Sequence, residues 1–221
     1  VKLFADTADL NDIETLASWG VLSGVTTNPT LLNQVDGEEQ EIYRRVCELV
    51  DGPVSAEVVA EARGEMVTEA RRLAAIHPNI VIKLPMGAES LAATSVLAGE
   101  GVRVNMTLCF TAPQAILSAS AGAAFVSPFL GRFDDIGQDG LTTLAEIIES
   151  FDKAGYETEV LAASIRHPVH VVEAARLGAD IATVPPKVFY QMLQHPLTAA
   201  GVEKFNADAQ ARADRSSEVS A

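Results

Sequence analysis

Short apolar runs rich in Val, Ile and Phe recur along the chain, separated by longer stretches with helical spacing. The runs are Leu3-Phe4-Ala5, Gly24-Val25-Thr26, Val54 to Val59, Ile80 to Leu84, Val102 to Val104, Ala124 to Val126, Val160 to Ala163 and Ile181 to Val184. Each is nearly continuous rather than alternating, the pattern of a parallel strand covered on both faces. The intervening pattern predicts helices over Leu10 to Trp19, capped by Asp9, and over Glu38 to Val50, with Ile42, Val46 and Leu49 on one face. Further helices are predicted over Gly64 to Ile76, Glu89 to Leu97, Ala112 to Ser120, Leu141 to Phe151, Pro168 to Leu177 and Lys187 to Leu193. A last helical segment runs from Pro196 to about Ala211.

Eight strand–helix units in about 200 residues match the lower size limit of a TIM barrel. The competing architecture is a doubly wound open sheet, which usually places a glycine-rich phosphate turn after its first strand. Here Asp6-Thr7-Ala8-Asp9 follows instead, and neither Gly-x-Gly-x-x-Gly nor a Walker sequence occurs. The expected fold is therefore α/β: a single-domain (β/α)8 TIM barrel over residues 1–211, with an additional C-terminal helix. The small polar tail, residues 212–221, is expected to fray. The chain shows no repeat, linker or second domain.

Of 221 residues, 48% are apolar and 21% charged, ample for a buried core. No stretch approaches about 20 uninterrupted apolar residues, so no membrane span is expected. The start, Val1 to Asp6, reaches an acid too soon for a secretory signal. Thirty acids against 16 bases give a net charge of −14. That charge repels nucleic acid and anionic membrane, yet leaves room for a small anionic substrate held by a few arginines. Cys47 and Cys109 match no metal or redox spacing and read as small buried hydrophobes in a reducing, cytoplasmic setting.

A TIM barrel gathers its active site at the C-terminal strand ends, so unexpected polar groups there carry the functional information. Lys83 interrupts Ile80-Val81-Ile82-Lys83-Leu84-Pro85. A lysine in an apolar run loses hydration; it becomes either a neutral amine nucleophilic toward carbonyls or one half of an ion pair across the barrel. Glu57 sits in the apolar run Ser55-Ala56-Glu57-Val58-Val59 of the third strand, as the acid that neutralises Lys83 or as a proton carrier through water. Asp6 ends the first strand. Its plain role is helix capping, but Asp9 is better placed for that, which frees Asp6 for acid–base work. Asn28 precedes Pro29, and Asn105 and Thr107 share a face by alternation, as do Ser127 and Phe129. Arg132 follows strand six, and Ser164 and Arg166 follow strand seven, where barrels often hold phosphate. Asp134 and Asp135 offer Arg132 an alternative ion pair. His167 and His170 have i,i+3 spacing, but His167 opens a helix before Pro168, and no acidic motif backs a metal site. No Gly-x-Ser-x-Gly elbow appears. Lys187, at a helix start, reads as solvated.

Five segments in order, Phe4-Ala5-Asp6-Thr7-Ala8, Gly24-Val25-Thr26-Thr27-Asn28-Pro29-Thr30, Val81-Ile82-Lys83-Leu84-Pro85, Ser127-Pro128-Phe129-Leu130-Gly131-Arg132 and Ala162-Ala163-Ser164-Ile165-Arg166, carry a family resemblance. From Lys2 to about Phe205 the chain resembles transaldolase, in particular the short members related to fructose-6-phosphate aldolase. The resemblance implies class I aldolase chemistry without metal or cofactor, sugar-phosphate substrates, a place in the pentose phosphate pathway, and assembly into homo-oligomers, pentamers or decamers. It makes Lys83 the Schiff-base residue and Asp6 the acid/base on the substrate hydroxyl. Glu57 and Thr107 become holders of the catalytic water. Asn28, Asn105 and Ser127 match positions holding the three-carbon fragment, and Arg132, Ser164 and Arg166 the phosphate region. Members acting as aldolases carry Gln at Glu57 and Tyr at Phe129. Glu57, Phe129 and Asn105 are the transaldolase-like choices, because phenylalanine cannot donate a proton to a bound enamine. Ile165 stands where many relatives have Phe, and Lys187 lies outside the pattern.

The expected function is transfer of a dihydroxyacetone unit from fructose 6-phosphate or sedoheptulose 7-phosphate to an aldose phosphate. The alternatives are a fructose-6-phosphate aldolase releasing free dihydroxyacetone and a non-catalytic sugar-phosphate-binding barrel.

Overall fold

The computed structural model describes residues 1–219. Eight parallel strands follow one another around a closed barrel in chain order. They are β1 (Lys2–Asp6), β2 (Leu22–Thr26), β3 (Val54–Glu57), β4 (Ile80–Pro85), β5 (Val104–Cys109), β6 (Phe125–Pro128), β7 (Glu159–Ala162) and β8 (Ile181–Val184). β8 closes onto β1 with Lys2 opposite Ile181 and Ala5 opposite Val184. The helices are α1 (Leu10–Ser18), α2 (Pro29–Leu32), α3 (Glu39–Leu49), α4 (Arg63–Ala74), α5 (Ala88–Gly99), α6 (Ala112–Ser120), α7 (Leu130–Asp134), α8 (Gly140–Ala154), α9 (Pro168–Leu177), α10 (Pro186–Leu193) and α11 (Pro196–Val219). The (β/α)8 barrel with an added C-terminal helix is as the pattern predicts. Asp9 caps α1, accepting from the Asn11 and Asp12 amides.

Two cores result from the two faces of each strand. The larger lies between sheet and helices and includes Ile13, Leu16, Tyr43, Leu73, Leu97, Leu144 and Ile147. Each such side chain contributes roughly 1.5–3 kcal/mol through burial. The smaller core fills the barrel interior with Phe4, Val81, Phe125, Leu161, Ala163 and Ile181. Space there is tight: a β-carbon on Gly24 would fall 2.6 Å from the Phe4 ring. Because strand side chains alternate, the residue two positions further on faces the axis again. Moving from Phe4 to Asp6, Val81 to Lys83 and Phe125 to Ser127 takes the interior from hydrocarbon to polar, and the second member of each pair lines a cavity.

Several boundaries differ from the apolar pattern for physical reasons. The pattern puts the fifth strand at 102–104, whereas β5 runs Val104–Cys109. Asn105 and Thr107 interrupt the apolar run because they face the polar end of the interior. β3 stops at Glu57 rather than continuing to Val59. There the Val59 and Ala60 amides turn to the Glu69 carboxylate instead of a ladder partner. The short helices α2 and α7 are too brief for periodicity to mark. α11 continues past Ala211 to Val219, through residues of good helical propensity and an i,i+4 contact from Gln210 to Asp214. Of the tail expected to fray, Ser220 and Ala221 lie outside the described residues. No described helix is long and apolar enough to cross a membrane.

Candidate active site

A cavity of about 440 Å³ opens at the C-terminal ends of the strands. Asp6, Asn28, Glu57, Lys83, Asn105, Thr107, Ser127, Phe129, Arg132, Ser164 and Arg166 all line it. The structure thus brings every candidate residue to one place.

Lys83 is the centre. Its side chain is 7% exposed, and its Nζ lies 2.9 Å from Glu57 Oε2. The ammonium also donates to the Thr27 carbonyl at 3.1 Å. Glu57, Lys83 and Asn105 occupy matching register positions on β3, β4 and β5, so the ladder itself brings them side by side. Of the two readings of Lys83, the ion pair is present, and it faces a cavity wide enough to admit a carbonyl compound.

Asp6 accepts from the Thr26 hydroxyl at 2.8 Å, and Thr26 in turn lies 2.5 Å from the Thr183 hydroxyl. Removal from solvent raises the Asp6 carboxyl above its usual range; Lys83 and the Thr26 hydrogen bond oppose this and Glu57 adds to it. It caps no helix, since Asp9 does so.

Asn105 is fully buried and fixed from both sides. It donates to Ser55 Oγ at 3.2 Å and accepts from Ser127 Oγ at 2.6 Å. Thr107 is buried too, but its hydroxyl has no protein partner. The cause is a bulge. Met106 pairs with Val126 and Cys109 with Pro128, so Thr107 and Leu108 together oppose Ser127. Leu108 takes a left-handed conformation, φ 55°, which turns it into the cavity as well. A non-glycine residue there costs about 1–2 kcal/mol, held by the strands on either side.

Asn28 both lines the cavity and caps α2, its Oδ1 accepting the Leu31 amide at 2.9 Å. Asn28 thus belongs both to the cavity wall and to the start of α2. Phe129 packs its ring 6.0 Å from that of Phe110. Arg132 is exposed at the cavity rim and makes no ion pair with Asp134 or Asp135. Those acids serve others: Asp135 pairs with Arg166 at 3.0 Å and Asp134 lies 3.2 Å from His170 Nε2. Ser164 has φ 56°, and its carbonyl accepts the Gly131 amide at 2.9 Å.

Thr26, Ser55, Thr183 and Leu108 belong to the site but are not singled out by the sequence. Extending strict alternation along β2, β3 and β8 would find the first three. Leu108 needs a bulge that no residue preference announces. Tyr43, on α3, is a further support. Its hydroxyl lies 3.3 Å from that of Thr27, which donates to the Ser55 carbonyl at 2.9 Å. Burial pushes the Tyr43 phenol up to about 12. It also pushes both cysteine thiols up to about 11, in keeping with small buried hydrophobes.

Asp134, His167 and His170 place potential ligand atoms within 4.8 Å of one another, a group that sequence spacing alone does not assemble. His170 Nδ1 accepts the Arg166 amide, so its proton sits on Nε2, toward Asp134. That proton occupies the nitrogen a metal would need. Lys187 is exposed at the start of α10, as expected of a solvated residue.

The barrel is similar in fold to inosine 5′-monophosphate dehydrogenase from Legionella pneumophila, with a TM-score of 0.60 at 13% identity over 85% of this chain. The match spans 58% of that structure's chain, and it bears on fold alone. Sequence relatives are far closer. A probable transaldolase from Symbiobacterium thermophilum is 55% identical over 97% of this chain and 100% of its own length. One from Caldicellulosiruptor saccharolyticus is 53% identical over 94% of this chain and 96% of its own. The family pattern described as Transaldolase/Fructose-6-phosphate aldolase matches residues 3–220. With that match over nearly its whole length, the chain belongs to the transaldolase/fructose-6-phosphate aldolase family of aldolase-type enzymes.

Proposed function

We propose that the barrel transfers a dihydroxyacetone unit from a ketose phosphate, fructose 6-phosphate or sedoheptulose 7-phosphate, to an aldose phosphate through a Schiff base on Lys83. The observation that carries this reading is the buried Lys83 amine held 2.9 Å from Glu57 inside an open cavity. Passing its proton to Glu57, directly or through water, leaves an amine that adds to the substrate C2 carbonyl. Glu57 returns the proton as hydroxide leaves, giving an iminium and one water. The unpartnered Thr107 hydroxyl supports a water-holding role at that step.

Asp6 then takes the C4 hydroxyl proton. The C3–C4 bond breaks, its electron pair enters the C2–nitrogen system as an enamine, and the aldose phosphate leaves. The raised affinity of Asp6 for a proton suits a base that must take up and later return one. Asn28, Asn105 and Ser127 hold the hydroxyls of the remaining three-carbon unit. Arg132, Ser164 and Arg166 hold the phosphate. Attack of the enamine on a second aldehyde reverses these steps, with Asp6 donating its proton to the new hydroxyl.

Phe129 bears on what happens to the enamine. A hydrocarbon ring offers no proton, so the enamine persists until an acceptor arrives. The test is turnover of fructose 6-phosphate with and without erythrose 4-phosphate. Strict acceptor dependence is expected. Equal turnover without acceptor, with free dihydroxyacetone accumulating, would instead establish a fructose-6-phosphate aldolase. Binding without turnover would leave a sugar-phosphate-binding barrel.

A role in the pentose phosphate pathway and a cytoplasmic setting accompany this proposal. So does self-assembly as a pentamer or decamer. Along α11, Leu197 and Phe205 are 76% and 71% exposed, large apolar side chains that a second copy would cover. Light scattering coupled to size exclusion tests this; a monomer at micromolar concentration would contradict it.

A further inference from the structure

The two arginines at the phosphate end come from different segments, Arg132 from α7 and Arg166 from the loop between β7 and α9. Both segments start just past their strands, where one parallel bridge joins Phe129 to Ala163. The contact between them is close: a β-carbon on Gly131 would stand 2.4 Å from both the Ser164 carbonyl and Arg166 Nε. Leu130 and Gly131 donate their amides to Ala163 and Ser164, each at 2.9 Å. Ser164 is in the left-handed region and must be held there from both sides.

His170 provides the hold on the far side. It is 5% exposed, on α9. Its Nδ1 accepts the Arg166 backbone amide at 3.3 Å, and its Nε2 lies 3.2 Å from Asp134 Oδ2, at the end of the helix carrying Arg132. One imidazole thus spans both arginine segments without touching the cavity.

We infer that His170 is a positioning residue for phosphate recognition: its neutral ring ties the Arg166 backbone to Asp134 and so fixes the spacing of Arg132 and Arg166. This rests on the phosphate role proposed above for those arginines. The charged or titratable groups facing the ring are Asp134 from α7, Arg166 from the preceding loop and His167, whose ring lies 4.0 Å away at the start of α9. Burial lowers the proton affinity of His170; His167 and Arg166 add to this and Asp134 opposes it. At neutral pH the ring is therefore uncharged and both contacts stand. A second proton would settle on Nδ1 and face the Arg166 N–H, donor against donor. The tie is present above the ordinary histidine range and is lost as pH falls through the lowered value.

The experiment compares wild type with His170→Leu, His170→Asn and His170→Gln. Asparagine can still accept the Arg166 amide, glutamine can reach Asp134, and leucine does neither. Two probes are read: inhibition by inorganic phosphate, and borohydride trapping of unphosphorylated dihydroxyacetone on Lys83. For His170→Leu, KM for fructose 6-phosphate and Ki for phosphate should each rise about tenfold, the equivalent of one lost hydrogen bond. Dihydroxyacetone trapping should be unchanged. His170→Asn and His170→Gln, each keeping one of the two contacts, should each recover part of the loss, and His170→Asn should also lack the extra rise in KM that wild type shows toward acid. Division by the His170→Asn profile cancels the ionisation of the phosphate itself. Wild-type phosphate affinity in His170→Leu would overturn the inference, as would parallel loss of phosphate binding and trapping in all three variants. Insensitivity of the wild type itself to phosphate would instead remove the underlying phosphate assignment, and the inference with it.

Discussion

Lys83 and Glu57 are register partners on neighbouring strands, and their charged atoms lie 2.9 Å apart at the buried end of an open cavity. The pairing answers the oldest problem of a lysine in a hydrocarbon setting. The carboxylate that compensates the ammonium is also positioned to receive its proton.

That arrangement predicts a conflict between stability and activity. Lys83→Met combined with Glu57→Leu replaces both members of the buried pair by apolar chains of similar size. Fold stability should stay within about 1 kcal/mol or rise by as much as about 4 kcal/mol, because a buried pair is often no better than hydrocarbon. Transfer activity should vanish. Urea denaturation beside an activity assay checks both.

Asp6→Asn should cut kcat by at least about 100-fold, the usual scale for removing a general base. Burial raises the Asp6 proton affinity in the native state. A raised carboxyl stabilises the fold at low pH, and that contribution is lost as pH rises through the raised native value. Above that raised value the native protein carries an unfavourable charge that asparagine removes. Denaturation of Asp6→Asn should show a gain in stability above that value that shrinks on acidification. In the wild type, kcat/KM should fall on acidification through a value above the ordinary carboxylate range.

The Thr107 hydroxyl is buried without a protein partner, so Thr107→Val should not destabilise the fold and can gain about 1 kcal/mol. Iminium formation should slow roughly 10- to 100-fold if that hydroxyl holds water. The rate of borohydride-trappable adduct formation reports this step directly.

How much of this was legible in the chain depends on the kind of contact. The barrel was, because continuous apolar runs at regular spacing are what doubly covered parallel strands require. Lys83, Glu57 and Asp6 were, because each is a charged group within or at the end of an apolar run. β5 was misplaced because Asn105 and Thr107 serve the cavity and therefore look unlike a buried strand. The bulge at Leu108 was hidden, since leucine has no preference for positive φ and the surrounding ladder imposes it. The same holds for His170 and Asp134: 36 residues apart, they meet only once β6, β7 and their loops are folded.

Phe129→Tyr introduces a phenol at the cavity wall without changing the size of the ring. Protonation of the enamine would then compete with transfer. Free dihydroxyacetone released per fructose 6-phosphate consumed should rise severalfold, measured with a limiting amount of acceptor.

The covalent role of Lys83 is the claim on which the rest depends. Incubation with fructose 6-phosphate and borohydride, followed by peptide mass spectrometry, tests it most directly. The account predicts a reduced three-carbon adduct on Lys83, unaffected by chelator and absent without sugar. Full inactivation with no adduct on Lys83, or an adduct on Lys187 instead, would contradict it.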